Sequence, residues 1–366
     1  MVRNIFILST LCCFLIFLQS CVHGSLEECP PMVNYAVAFK YTHNAWNNDR
    51  FRDDAKKVDL YVFDKDELFY TKKTGLRTKD PFEPNFTIPL DLPMGTYHIL
   101  AWCNVLDVQP FNIFPLEFNK GVTTINQARL SLQREAGNLS HQDMDKLLFG
   151  DSLHVEIPLY VNRVDTIPLI NDTKHIRIVI HWDHTGELRA TQQVVNYNDV
   201  EVRLAASNAE YNFSNNFTGV NNVVYTPYQY AYDTLYLAQN EREFEQRIYC
   251  YDKPVNYTIT NACVYDFAIL RMMENNPITI TIGRNKKVPS ASVVLFKEDI
   301  VAPVVNYFHV TRGITLPNAT QSEFDKYDNY RIDFYFTYDE IAGEYVTGNF
   351  KIDNWHWVNQ PEIPMN

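Results

Sequence analysis

Positive charge is the scarcer sign in this chain. Lys and Arg number 32 against 44 Asp and Glu, a formal charge of −12, and the nearest thing to a basic cluster is the pair Lys286-Lys287. Proteins that neutralise phosphates do so with clusters of Lys and Arg, so this balance excludes nucleic acid as the expected partner. An anionic membrane surface would also repel the chain unless something other than a basic patch held it there. Reactive motifs are missing as well: the sequence has no G-x-S-x-G elbow, H-E-x-x-H, P-loop or G-x-G-x-x-G. The expectation is a protein that is not an enzyme, with no catalytic residue, no cofactor and no metal.

Cysteine is sparse and forms no CxxC pair or zinc spacing. His181 and His184 lie three apart, which on a strand puts them on opposite faces, so they read as a solvated strand end rather than metal ligands. Asp143 and Asp145 lack the spacing and glycine of a calcium loop and read as charges at a helix end. With 44 acidic residues some carboxylate pair could always mimic a glycosidase site, and sequence alone selects none.

What is present begins at the N-terminus. Arg3 is the one charge among the first 20 residues, and an apolar run of 14 residues follows from Ile5 to Leu18, interrupted by Ser9 and Thr10. A bilayer-spanning helix needs about 20 apolar residues. The layout is that of an export signal. It ends in Leu18-Gln19-Ser20-Cys21, which resembles the bacterial lipobox. The lipobox implies cleavage before Cys21, a diacylglycerol on its sulfur and an acyl chain such as palmitate on its new amino group. More than one buried chain gives stable anchoring, at about 0.8 kcal/mol per CH₂. The alternative is an ordinary signal with a chance cysteine. Removing 20 residues from 366 leaves 346, enough for two domains. The expected division is a signal at 1–20, a lipidated tether at 21–31, and domains at 32–170 and 171–366.

Of seven cysteines, Cys12 and Cys13 leave with the signal and Cys21 takes lipid; Cys29, Cys103, Cys250 and Cys263 remain. An even number in an exported chain points to disulfides with three possible connectivities. Cys29–Cys103 with Cys250–Cys263 keeps each bridge inside one domain. Four buried thiols is the other reading.

The apolar pattern favours strands, and an aromatic content of 14% supports this. Tyr35, Val37 and Phe39 share a face with Val33. Val58, Leu60 and Val62 oppose Tyr61 and Phe63. Tyr97, Ile99 and Ala101 alternate with Thr96, His98 and Leu100. Pro81, Pro84 and Pro89 mark a loop, and Ile125–Ala136 has helical spacing, so one or two short helices are expected before Leu147. Pro168 and Asn171-Asp172-Thr173 form a seam. Beyond it, Ile176, Ile178, Ile180 and Trp182 point inward and Arg177 and His181 outward. Val200–Ala206 alternates likewise, and near the end Ile332, Phe334, Phe336 and Tyr338 oppose Arg331, Asp333, Tyr335 and Asp339. The Asn- and Tyr-rich stretch 207–236 lacks periodicity and is expected to be mostly loop. The fold class is mainly β, in tandem sandwiches with one or two short helices.

Tyr225, Tyr228, Tyr230 and Tyr232 cluster in that stretch. They either stack on sugars or a partner, or cap the ends of a core. Seven N-x-S/T sequons occur, at Asn85, Asn138, Asn171, Asn212, Asn216, Asn256 and Asn318; in a eukaryotic secreted protein they would mark glycosylated surface loops, but several are expected by chance in a chain rich in Asn and Thr, and the lipobox points to a bacterial host.

In order, the chain carries Cys21, then Glu28-Cys29-Pro30, Val58–Phe69 (VDLYVFDKDELF), Met94–Trp102 (MGTYHILAW), Leu147–Ile157 (LLFGDSLHVEI), Asn171–Ile178 (NDTKHIRI) and a closing YRIDFYF…FKIDNW. This order resembles the FimB-type fimbrial anchor lipoproteins, minor subunits that fix type V pili to the outer membrane. It departs from the pattern at Cys103, where a small residue is expected, and across 207–236. The resemblance implies two tandem transthyretin-like β-sandwich domains and no enzymatic activity. It also implies a surface-exposed outer-membrane anchor, held through lipid on Cys21, that contacts the fimbrial stalk subunit (a fimbrillin) and influences fimbrial length. Pro361 and Pro364 make the C-terminal tail a poor donor for strand addition. The competing reading is a surface glycan-binding lipoprotein using Tyr228, Tyr230 and Trp355. A weaker one is a β-sandwich hydrolase acting on extracellular polymer.

Overall fold

The computed structural model describes residues 33–183, 200–219, 221–238, 257–284, 293–304, 319–339 and 344–353. The first half contributes β1 (Val33–Lys40), β2 (Lys57–Asp64), β3 (Phe69–Leu76), β4 (Thr87–Leu90), β5 (Gly95–Cys103), β6 (Phe111–Phe114), β7 (Arg129–Leu132), β8 (Leu139–Ser140), β9 (Leu148–Ile157) and β10 (Val161–Asn171). The second half contributes β11 (Thr173–Asp183), β12 (Val200–Ala206), β13 (Glu210–Asn212), β14 (Val223–Tyr225), β15 (Gln229–Ala238), β16 (Tyr257–Leu270), β17 (Thr279–Arg284), β18 (Val293–Asp299), β19 (Asn329–Asp339) and β20 (Glu344–Asp353). Two short helices, α1 (Phe51–Asp54) and α2 (Ala319–Lys326), accompany them. The class is mainly β, in sandwich-type layers.

Strands β3-β2-β5-β9-β10-β1-β4 form a seven-stranded sheet, antiparallel except where β1 meets β10. It curls so that its two edge strands approach, and the face it encloses holds Tyr35, Val37, Phe39, Val58, Leu60, Val62, Ile99 and Ala101. Gly150 lies opposite both Ala101 and Leu169, and a Cβ there would collide with Ile167 and Leu169, so the curl is closed over a residue with no side chain. The outer face of β2 and β5 is also apolar: Tyr61, Phe63, Leu100 and Trp102 are buried in a second core. This explains why β2 is buried at all six of its interior positions.

The second core is shared between the halves. Sheet β15-β16-β11-β19-β20 packs on sheet β18-β17-β12-β14-β8. Ile176, Ile178, Ile180, Trp182, Ile332, Phe334 and Phe336 lie inward as their alternation predicts and meet Val202, Leu204, Ile280 and Ile282. The side chains of Tyr338 and Asp339 lie outside the described residues. A three-stranded sheet, β13-β7-β6, covers the outer face of the first sheet.

Several expectations are corrected. Ile125–Ala136 is not an α-helix: a 3₁₀ turn at Ile125–Gln127 gives way to β7, because Arg129–Leu132 pairs with β6 on one side and β13 on the other. Stretch 207–236 is about half loop and half strand: β13 pairs with β7 and β14 with β8, both in the first half, and β15 pairs with β16. Thr87–Leu90 is an edge strand; Pro89 is tolerated there because an edge leaves one row of N–H positions unpaired. Pro168 lies inside β10, opposite Lys40 at the end of β1. His181 is not solvated but 1% exposed; its Nε2 is 2.6 Å from Asp333 Oδ1. His184 lies outside the described residues, and Asp143 and Asp145 stand in the loop before β9 rather than at a helix end.

Candidate functional site

Three places stand out: the N-terminal entry to the described residues, the junction between the halves, and a cleft beside Tyr228.

The N-terminal entry is set by β1. Val33 is in register with Val161 at one end of the seven-stranded sheet, and Lys40 with Pro168 at the other. Beyond Lys40 the chain reaches the second half: Tyr41 OH lies 3.4 Å from Asp328 Oδ1. The first half is therefore entered at the end away from the junction. Cys21 and Cys29 lie outside the described residues, as do Cys250, Trp355 and Trp357. Cys103 and Cys263 are free, buried thiols. Burial pushes both thiols above the ordinary range, with Asp59 adding to the effect at Cys103. Cys103 sits between Val58 and Leu148 in the first sheet, where a small apolar residue fits the core.

At the junction β10 turns into β11 through the single residue Asp172. This segment reads as a polar seam but is buried: Asn171, Asp172, Thr173 and Lys174 are at most 1% exposed. Two linked ion clusters surround it. In one, Arg271 binds Asp325 through two bonds of 2.6 and 2.7 Å and approaches Asp172 Oδ1 at 3.8 Å. In the other, Lys146 Nζ bridges Asp54 and Asp328 at 2.7 and 3.0 Å. Lys174 lies 3.8 Å from Asp328 and donates to the Asp325 carbonyl at 3.1 Å. Asn171 donates to Asp328 Oδ1 at 2.8 Å, so its sequon is occupied by internal bonding.

With Arg50, which binds Asp54 at 3.2 Å, four cations (Arg50, Lys146, Lys174, Arg271) face four carboxylates (Asp54, Asp172, Asp325, Asp328). Asp172 is the most weakly paired of them, its one ion pair being the 3.8 Å approach of Arg271. Burial pushes its carboxyl up to about 7, only partly offset by Arg271 and Asn215, and its Oδ2 has no hydrogen-bond partner. Asp328 is held below the ordinary carboxylate range: burial opposes this, but Lys146, Lys174 and Asn171 outweigh it. Burial lowers Lys174 despite Asp328 and Asp325 beside it.

The cleft has a volume of about 210 Å³ and is lined by His175, Ile176, Arg177, Tyr228, Asp266, Phe267 and Asn329. Arg177 and Asp266 form a planar pair with bonds of 2.7 and 2.9 Å. His175 Nε2 is 3.0 Å from Asp143. Of the tyrosine cluster, Tyr225 is buried and caps the shared core, Tyr228 lines the cleft, and Tyr230 is 56% exposed. Tyr232 contributes its backbone to β15. Among the described residues no group of three or more His, Cys, Asp or Glu side chains is arranged to hold a metal ion.

The model of the family "Fimbrillin-A associated anchor proteins Mfa1 and Mfa2" matches residues 26–361. No curated protein matches. Among solved structures, a candidate polysaccharide-binding protein from Bacteroides thetaiotaomicron is 22% identical, with a TM-score of 0.65 over 89% of this chain and 98% of its own. A candidate adhesin from the same organism is 18% identical, with a TM-score of 0.66 over 90% and 98%. The fimbrial anchor protein Mfa2 from Porphyromonas gingivalis is 17% identical, with a TM-score of 0.61 over 88% and 97%. At these identities the structures speak for the fold.

Proposed function

This chain belongs to the fimbrillin-A associated anchor proteins, and from that premise we propose that it is an outer-membrane lipoprotein that holds a fimbria at the cell surface through lipid on Cys21. The family is one of cell-surface fimbrial components and non-enzymatic in kind. The carrying observation is the family match, which begins at residue 26, just beyond Cys21 and its lipobox. The geometry agrees with a membrane-side first half. The chain enters the seven-stranded sheet at Val33, at the end opposite the junction. The second half then stands away from the membrane and presents itself to the first stalk subunit. The two halves share one core and two buried ion clusters, so a pull on one is passed to the other through packed side chains and charge pairs.

Cys21→Ser tests the anchor. The native N-terminal peptide should begin at Cys21 and carry acyl mass. The variant should leave the membrane fraction and fimbriae should be shed. Retention of the variant in membranes with fimbriae in place would end this reading. A second reading, glycan binding, has the cleft in its favour, where Tyr228 stands beside the Arg177–Asp266 pair and Tyr230 is exposed nearby. A relative of the same fold is described as a candidate polysaccharide binder. Saturable glycan binding lost in Tyr228→Ala would support it.

A further inference from the structure

The free end of the first half gathers exposed apolar side chains around the point where the tether enters. Gly95 is in register with Ile157, so Met94, just before it, sits beside Pro158 and Leu159, just after Ile157. Val33, the first described residue, pairs with Val161 one turn further along. Met94 is 70% exposed, Leu159 50% and Tyr160 47%. Val122, 67% exposed, lies at the same end on the β3 side, in the turn whose Gly121 N–H bonds the Phe69 carbonyl. Isolated exposed apolar residues are ordinary, but several converging on one end of a domain mark a contact surface.

The occupant is constrained by the chain itself. From Cys21 to Val33 there are 12 peptide steps, which span at most about 40 Å when fully extended. The opposite end of the same sheet is another ~26 Å away, the length of the eight residues of β1. It is also occupied, because Tyr41 and Lys146 there engage Asp328 of the second half. We propose that this end of the first half, with Met94 and Leu159 at its tip, rests on the outer leaflet of the membrane that carries the lipidated Cys21. Lipid is the occupant that the tether brings to this end. The proposal rests on the lipoprotein reading.

Charge orients the contact. The β2–β3 turn at the same end carries Asp64, Asp66 and Glu67 with Lys65, and Lys65 and Asp66 are well exposed. An anionic headgroup layer repels that corner, which leaves the β5, β9 and β10 turns as the part that touches lipid. Tyr160 has the amphipathic shape found at membrane–water boundaries. The contact is shallow; the acyl chains supply the affinity and the apolar tips set the tilt. A fixed tilt would give a fimbria a defined direction of departure from the surface.

The test is photo-crosslinking in the full-length chain in its own membranes. p-Benzoylphenylalanine is placed singly at Met94, at Leu159, at Trp46 near the junction and at Tyr230. All four are exposed, so the fold is kept. Lipid adducts at 94 and 159 and none at 46 and 230 are expected. With acylated Cys21 verified by peptide mass, three outcomes overturn the proposal and leave the anchor reading standing: no lipid adducts at 94 and 159, adducts there to protein, or equal lipid adducts at all four positions. An N-terminus without acyl mass would overturn both readings.

Discussion

Two of the joins between the halves of the chain use opposite chemistries. At the junction the contact is ionic: Lys146, Lys174 and Arg271 face Asp54, Asp172, Asp325 and Asp328, most of them buried. At the three-stranded sheet it is aromatic. Phe213, which follows β13, meets Tyr61 at 5.0 Å and Phe63 and Trp102 at 6.3 Å, all on the outer face of the first sheet. The aromatic join removes apolar area from water and is not directional. The ionic join gains little net energy, because desolvation offsets attraction, but its forked bonds fix relative position. One join therefore supplies stability and the other supplies register. Perturbing them should differ in pH dependence as well as size.

The largest effect is expected at Arg271. Arg271→Met removes the partner of Asp325 and leaves Asp172 without its nearest cation. Breaking a buried pair from one side costs about 3–5 kcal/mol. Urea unfolding would measure it. The loss should shrink in acid, where the stranded carboxylates can take protons. A loss independent of pH would mean that Arg271 acts by packing alone.

Next comes the pH profile itself. Folded Asp172 keeps its proton to about pH 7, against an ordinary value of 3.8. Between those values the folded state holds a proton that the unfolded state has released. Stability then falls as pH rises, by up to about 1.4 kcal/mol per unit, and levels off above 7. Asp172→Asn should flatten that slope, by about 2 kcal/mol between pH 5 and 7. Asp328 and Asp333 act on the other side. Their lowered folded values stabilise the chain above the ordinary carboxylate range and lose that contribution as pH falls below it. At Asp333 burial works against the shift, and His181 and Arg331 overcome it. Phe213→Leu belongs to the aromatic join and should cost about 1–2 kcal/mol at every pH from 5 to 8.

How much of this was legible in the sequence follows the same division. Alternation found the inward faces of β1, β2, β5, β11, β12 and β19, because side chains of a strand alternate whatever lies opposite. It missed β7 and β13, whose four and three residues have no pattern of their own and are strands because they pair with each other about 80 positions apart along the chain. The helical spacing at 125–136 was local, and pairing overrode it. The buried ions were harder still. Asn171-Asp172-Thr173 has a linker's composition, and nothing local says that Arg271 and Lys146 arrive to cover it. The same holds for His181, polar and thus expected outside, but seated on Asp333 with Tyr335 stacked at 4.5 Å. Cysteine count alone could not tell bridges from the buried thiols at 103 and 263.

One residue belongs to both joins and gives the smallest, most discriminating effect. Tyr211 of β13 packs on Trp102 at 5.9 Å and on Phe217 at 4.7 Å. Its hydroxyl donates to the Asp172 carbonyl at 3.3 Å and accepts from the Arg271 N–H at 3.1 Å. Tyr211→Phe keeps the ring and removes only the hydroxyl. Because the Arg271 N–H also bonds the Asp172 carbonyl at 2.7 Å, the loss should be only about 1 kcal/mol. Combining Tyr211→Phe with Asp172→Asn in a double-mutant cycle decides whether the joins are independent. Groups in direct contact typically couple by about 0.5 kcal/mol or more. Coupling of that size would show the aromatic clasp and the ion cluster acting as one connection, so that register set at the junction is felt at the three-stranded sheet. Strict additivity would show two separate fastenings, either of which could open without the other.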